Sequence, residues 1–123
     1  MKIITDTHSL IWHLSSNKKL SPPAKEAILE AEQVFVPTIT LLEGLWISKR
    51  YEFENQFKYF ISKLPTPIFQ PISLDLKVIE QYLLQGDELE MHDRIIAATA
   101  QLYGLPIVTR DETITKLYSN VIW

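Results

Sequence analysis

Along this chain, short runs of β-branched and apolar residues alternate with longer segments whose apolar positions recur at helical spacing. "KIIT" (2–5) reads as a strand, and "HSLIWHL" (8–14) opens a helix. "SPPAKEAILEAE" (21–32) has a marked helix start, with Ser21 as N-cap and prolines in the first turn, where no amide hydrogen is needed. "VFVP" (34–37) is a second strand, ended by proline. "TLLEGLWISKR" (40–50) and "FENQFKYFISKL" (53–64) read as helices; in the latter, Phe53, Phe57, Phe60, Ile61 and Leu64 share one face. "IFQPIS" (68–73) is a third strand, and Pro71 directs it to a sheet edge or a strand end. Helices follow over 74–85, stopped near Gly86, and over 93–103, stopped by Gly104. "LPIVT" (105–109) is a strand, "ETITKLY" (112–118) a short helix and "NVIW" (120–123) a final strand.

Strands separated by helices favour a parallel sheet covered on both faces. Right-handed crossovers let the first three strands wind outward from the first. If strand 105–109 then returns to the other side of strand 2–5, the order reverses between them. A crevice opens at such a reversal, at the C-terminal ends of the strands, where open α/β sheets bind ligands. Asp6 ends the first of these strands and Asp111 follows the other by two residues, so both acids are expected in that crevice.

Composition narrows the function more than the fold. The 123 residues suit one domain, 1–123, with an ordinary balance of 46% hydrophobic and 22% charged residues. There is no cysteine, which excludes disulfides and thiolate metal sites. No basic-then-apolar leader or stretch of membrane-spanning length is evident, so no membrane association is expected and the cytoplasm is the expected location. A net charge of −3 argues against binding nucleic acid by bulk attraction. It leaves room for a nuclease, whose site must itself be acidic to hold metal.

Two further acids extend the candidate site. Glu43 stands inside "ITLLEGLWI", where little polar face exists to solvate it. Asp93 begins the helix "DRIIAATA", whose Ala97, Ala98 and Ala100 permit close packing on the sheet. Taken singly, Asp6, Asp93 and Asp111 each have a plainer reading as caps or first-turn acids of the helices they precede. Taken together, four carboxylates would repel one another unless a cation neutralised them. Oxygen ligands without cysteine favour Mg²⁺ or Mn²⁺, which suits metal-assisted phosphodiester hydrolysis.

"TDTHSLIW", "PTITLLEGL", "MHDRIIAATA", "LPIVTRDETI" and the closing "NVIW", in that order, resemble the PIN-domain ribonucleases, and among them the VapC-type toxins of toxin–antitoxin pairs. The resemblance is weakest over 51–85. It implies a three-layer α/β/α sandwich around a central, mainly parallel sheet of about five strands. It also implies a Mg²⁺- or Mn²⁺-dependent endoribonuclease acting on structured RNA, neutralised by a cognate antitoxin and commonly a homodimer. The family's four acids fall on Asp6, Glu43, Asp93 and Asp111, and Thr109 matches a supporting hydroxyl. The chain departs from the family pattern in having Gly44 after the second acid, at a cost of about 1 kcal/mol in helix propensity. "ELEMHDR" also leads into the third acid without the usual proline, which makes Glu88 and Glu90 competing ligands.

Around these acids, Arg94 and Arg110 either contact RNA phosphate or restrain the carboxylates. Lys18, Lys19, Lys49 and Arg50 are further phosphate contacts or simply solvated surface. His8, His13 and His92 form no zinc spacing, and His8 reads as a packed core histidine. Trp46, Phe53, Phe57 and Phe60 are mainly expected in the core. Tyr51 and Tyr59 fall outside that stripe, leaving apolar surface for an antitoxin or a second copy. An aspartyl-phosphate enzyme would want a second acid where His8 stands, and glycine-loop nucleotide binding lacks its glycines. The remaining alternative is a PIN-like interaction module without catalytic activity.

Overall fold

The computed structural model describes residues 1–86 and 90–123. Its sheet contains β1 (Lys2–Thr5), β2 (Gln33–Pro37), β3 (Phe69–Ile72), β4 (Ile107–Val108) and β5 (Val121–Ile122). They lie in the order β3-β2-β1-β4-β5, and every pairing is parallel, where a mainly parallel sheet was expected. The order reverses between β1 and β4, so the condition for a crevice there is met. β3 is an edge strand, which accommodates the missing amide of Pro71. The fourth and fifth strands are shorter than the apolar runs that announced them: only residues 107–108 and 121–122 pair.

The connecting helices are α1 (Thr7–Leu14), α2 (Pro22–Glu30), α3 (Thr38–Arg50), α4 (Glu54–Ser62), α5 (Leu76–Leu83), α6 (Met91–Tyr103) and α7 (Glu112–Leu117). None among the described residues is long and apolar enough to cross a membrane. α5 ends with Leu84 as its C-cap, before Gly86. α6 is closed by Gly104 in the left-handed conformation, φ 65°, the role expected of it.

The pleat distributes the strand residues between two helical layers. Ile3, Val34 and Val108 pack with Ala24 and Ile28 of α2, and Val36 packs with Leu10 of α1 and Phe57 of α4. On the opposite face, Ile4 and Ile107 meet Ile96 and Ala100 of α6 and Ile114 of α7. Ala97, Ala98 and Ala100 are completely buried, so α6 lies close, with its N-terminus beside the crevice. The result is the α/β/α sandwich.

Gly44 explains the departure noted in α3. A Cβ there would stand 2.3 Å from Cζ of Phe57, so the position is kept bare to seat that ring against the helix. Trp46 corrects the sequence reading: it is 65% exposed, as are Tyr51 and Tyr59. It lies on the solvent side of α3, while Phe57 alone of the expected aromatic stripe is fully buried.

Candidate active site

The crevice is assembled from four places in the chain. Asp6 leaves β1 and caps α1, with Oδ1 accepting from the Ser9 amide at 2.9 Å. Its Oδ2 accepts from the Thr109 hydroxyl at 2.5 Å, and Thr109 Oγ1 in turn accepts from the Asp111 amide at 3.0 Å. One buried hydroxyl thus ties the end of β1 to the loop leaving β4. Asp111 caps α7, accepting from the amides of Thr113 and Ile114 and from the Thr113 hydroxyl. Asp93 sits in the first turn of α6, and Glu43 on α3 accepts from the Thr7 hydroxyl.

All four acids, with Glu90, line one cleft of about 530 Å³. The capping and crevice readings of Asp6 and Asp111 therefore hold together: a carboxylate with two oxygens and several lone pairs can cap a helix and still face a cavity. Glu88 lies outside the described residues. Glu90 is the N-cap of α6, its Oε2 accepting from the His92 and Asp93 amides and its Oε1 lying 2.5 Å from His92 Nδ1.

Charge accumulates at Asp93. Burial, then the neighbouring charges of Asp111, Glu90, Glu43 and Asp6, push its pKa up to about 6. Burial also raises Asp6, against hydrogen bonds from Thr109 and Ser9. Asp111 goes the other way: burial is outweighed by hydrogen bonds from Thr113 and Ile114, which hold it below the usual carboxylate range. Among the described residues, no three acid or imidazole groups already stand in a cluster able to grip an ion. The donor chemistry nonetheless fits a hard cation: oxygen ligands only, with mutual repulsion concentrated on Asp93.

The arginines divide. Arg94 Nη2 donates to the carbonyls of Tyr82 and Gln85, and the guanidinium stacks 3.9 Å from the Tyr82 ring centroid. These contacts join α6 to the end of α5. Arg110 is exposed and lines the cleft. His8 is a correction: it is exposed at the cleft wall, not packed in the core. It sits on the first turn of α1, and its ring lies 5.6 Å from that of Trp12. Thr7, His8 and Trp12 of the cleft went unrecognised in the sequence. Their signal was position, since "DTHSLIW" places Thr7 and His8 directly after Asp6 and Trp12 one helical turn beyond His8.

The family model for the PIN domain matches residues 3–120. The chain belongs to the PIN domain family. Among solved structures, this PIN domain is similar to a chain of a toxin–antitoxin complex from Klebsiella pneumoniae, with 28% identity and TM-score 0.74, covering 98% of this chain and 96% of that one. It shares its fold with VapC20 of Mycobacterium tuberculosis, a sarcin–ricin-loop-cleaving toxin, at 16% identity and TM-score 0.74 over 93% of each chain. It also shares it with a chain of VapBC2 from Rickettsia felis bound to promoter DNA, at 13% identity and TM-score 0.72 over 98% and 96% of the two chains. No curated protein sequence matches it.

Proposed function

We propose that this PIN domain is a Mg²⁺- or Mn²⁺-dependent endoribonuclease and the toxin of a toxin–antitoxin pair. The observation that carries the reading is the convergence of Asp6, Glu43, Asp93 and Asp111 on one cleft, with Asp93 raised to about 6 by burial and its acidic neighbours. A divalent ion bound there would polarise the phosphoryl oxygen and acidify a water. Asp6, Asp93, Glu43 and Asp111 would hold it. Thr109 fixes the Asp6 carboxylate and the Asp111 backbone, and Thr7 fixes Glu43, so the supporting hydroxyls orient the acids before substrate arrives. Hydrolysis by water leaves a 5′-phosphate and a 3′-hydroxyl.

The similarity to a chain of the Klebsiella toxin–antitoxin complex supports an antitoxin as partner. Exposed Leu42 and Trp46 on α3, with Tyr51 and Tyr59 nearby in sequence, offer it apolar surface; a second copy of the chain is the other expected occupant.

The test compares wild type with Asp6→Asn and Asp93→Asn, sequencing RNA ends after brief induction and titrating Mn²⁺ by calorimetry. Cleavage and Mn²⁺ binding are expected in the wild type and lost in both variants. Cleavage that survives Asp93→Asn in pure protein removes Asp93 from the mechanism. A wild type that neither binds Mn²⁺ nor cuts RNA is an interaction module.

A further inference from the structure

The acids occupy only part of the cleft. Trp12, His8 and Arg110 also line it, and this part has the opposite character. Trp12 is half-buried: it packs on the core beside Leu20 and against Trp123, with ring centroids 6.0 Å apart, yet still contributes to the cleft. Two cations attend it, Lys19 and Arg110, each 5.9 Å from the ring centroid. That is the outer limit of a cation–π contact, unlike the 3.9 Å at which Arg94 is fastened to Tyr82. Both Lys19 and Arg110 are exposed, and among the described residues neither forms an ion pair.

An aromatic ring packed on the core, with exposed cations at its edges, is the arrangement that grips single-stranded nucleic acid: the ring stacks a base and the cations meet the backbone. It also offsets the repulsion a polyanion would meet from the acids across the cleft. We infer that Trp12 is the stacking platform for an unpaired base next to the cleaved phosphodiester, with Arg110 and Lys19 contacting the flanking phosphates. The inference rests on the ribonuclease reading and assigns that activity its substrate-contacting residues outside the acid cluster.

The test measures binding by fluorescence anisotropy, using labelled, short, unstructured RNA of randomised sequence and an otherwise identical abasic RNA. Asp93→Asn serves as the parent, so that cleavage does not intervene. Adding Trp12→Ala should weaken binding of the base-bearing RNA by about tenfold or more. Trp12→Phe, which keeps an aromatic face, should retain most of it, and the abasic RNA should not distinguish the three proteins. Arg110→Gln, at an exposed position, should lower the slope of log affinity against log salt by about 0.7. Equal binding by the parent and a natively folded Trp12→Ala protein overturns the inference. So does an equal loss for base-bearing and abasic RNA, which marks Trp12 as structural only. If RNA binding is unmoved but a co-expressed protein partner is lost, the wall is a protein contact and the inference falls. A wild type that neither binds nor cleaves RNA defeats the ribonuclease reading itself, a result distinct from all of these.

Discussion

Glu43 and Gly44 are neighbours on α3 that serve two opposite regions of the molecule. Gly44 faces Phe57 across the α3–α4 seam, where the ring is 2% exposed and fills the space that a missing Cβ leaves. Glu43 faces the cleft, where like charges gather and the Asp93 pKa rises to about 6. The seam is organised by shape, and each atom there gains contacts. The cleft is organised against local stability: burial and repulsion penalise the charged form of Asp93, and hydrogen bonds from Thr7, Ser9 and Thr109 hold its neighbours in place. A fold that departs from its own packing logic at one spot marks that spot as functional.

The seam should break first. Phe57→Ala is expected to cost about 3–5 kcal/mol, because the buried ring leaves a cavity between α4, β2 and α1. Denaturant unfolding measures it, and a loss under 1 kcal/mol (about a methylene's worth) would mean that the seam relaxes freely. Gly44→Ala should cost about 1–3 kcal/mol through overpacking, partly offset by about 1 kcal/mol of better helix propensity. The two changes are coupled. In a Phe57→Leu background the clash with Cζ disappears, and the same alanine should become neutral or stabilising. Simple additivity would show that Gly44 is there for another reason.

How much of this was legible in the sequence also differs between the two regions. Alternation and crossover handedness made a parallel sheet legible and left the side taken by strand 105–109 as a condition; once that strand lies beside β1, Asp6 and Asp111 meet in one cleft. The role of Gly44 was not legible, because a helix-interior glycine reads as a propensity defect until the ring opposite it is placed. His8 and Trp46 were misjudged for a related reason. Periodicity assigns a face to a helix but does not say whether another element covers it, and α3 leaves the Trp46 side open. Arg94 and Arg110 look alike in sequence, each beside an acid. Only tertiary contacts distinguish an arginine fastened to Tyr82 and two carbonyls from one exposed at the cleft wall.

In the cleft, Thr109 is the first place to press. Its hydroxyl donates to Asp6 and accepts from the Asp111 amide, and it is 1% exposed. Thr109→Val keeps the shape and removes both bonds, so a cost of about 1–3 kcal/mol is expected from the unpaired buried groups. Cleavage should fall further than stability does, because Asp6 loses its orientation. Thermal melts and turnover on the same preparations separate the two effects. Serine in place of Thr109 should restore most of the turnover.

The smallest expected change has the opposite sign to the others and is the sharpest comparison of the two regions. Without metal, Asp93 binds a proton in the folded protein up to about 6, against 3.8 for an unperturbed aspartate. Because the folded pKa is raised, the folded state holds more protons than the unfolded state between 3.8 and about 6, so stability falls as pH rises through that window. The contribution is complete below 3.8 and lost above about 6. Asparagine carries no charge to repel the other acids, so Asp93→Asn should melt higher than the wild type above about pH 6, with the gap closing toward 3.8. Asp6, which burial also raises, is present in both proteins, so the difference between them reports on Asp93. Mn²⁺ should reverse the ranking, since a ligand that binds only the native wild type raises its melting temperature and leaves the variant behind. Melting curves across pH, with and without Mn²⁺, read both effects; a variant that is no more stable than wild type at neutral pH would mean that the acids are not in fact opposing one another.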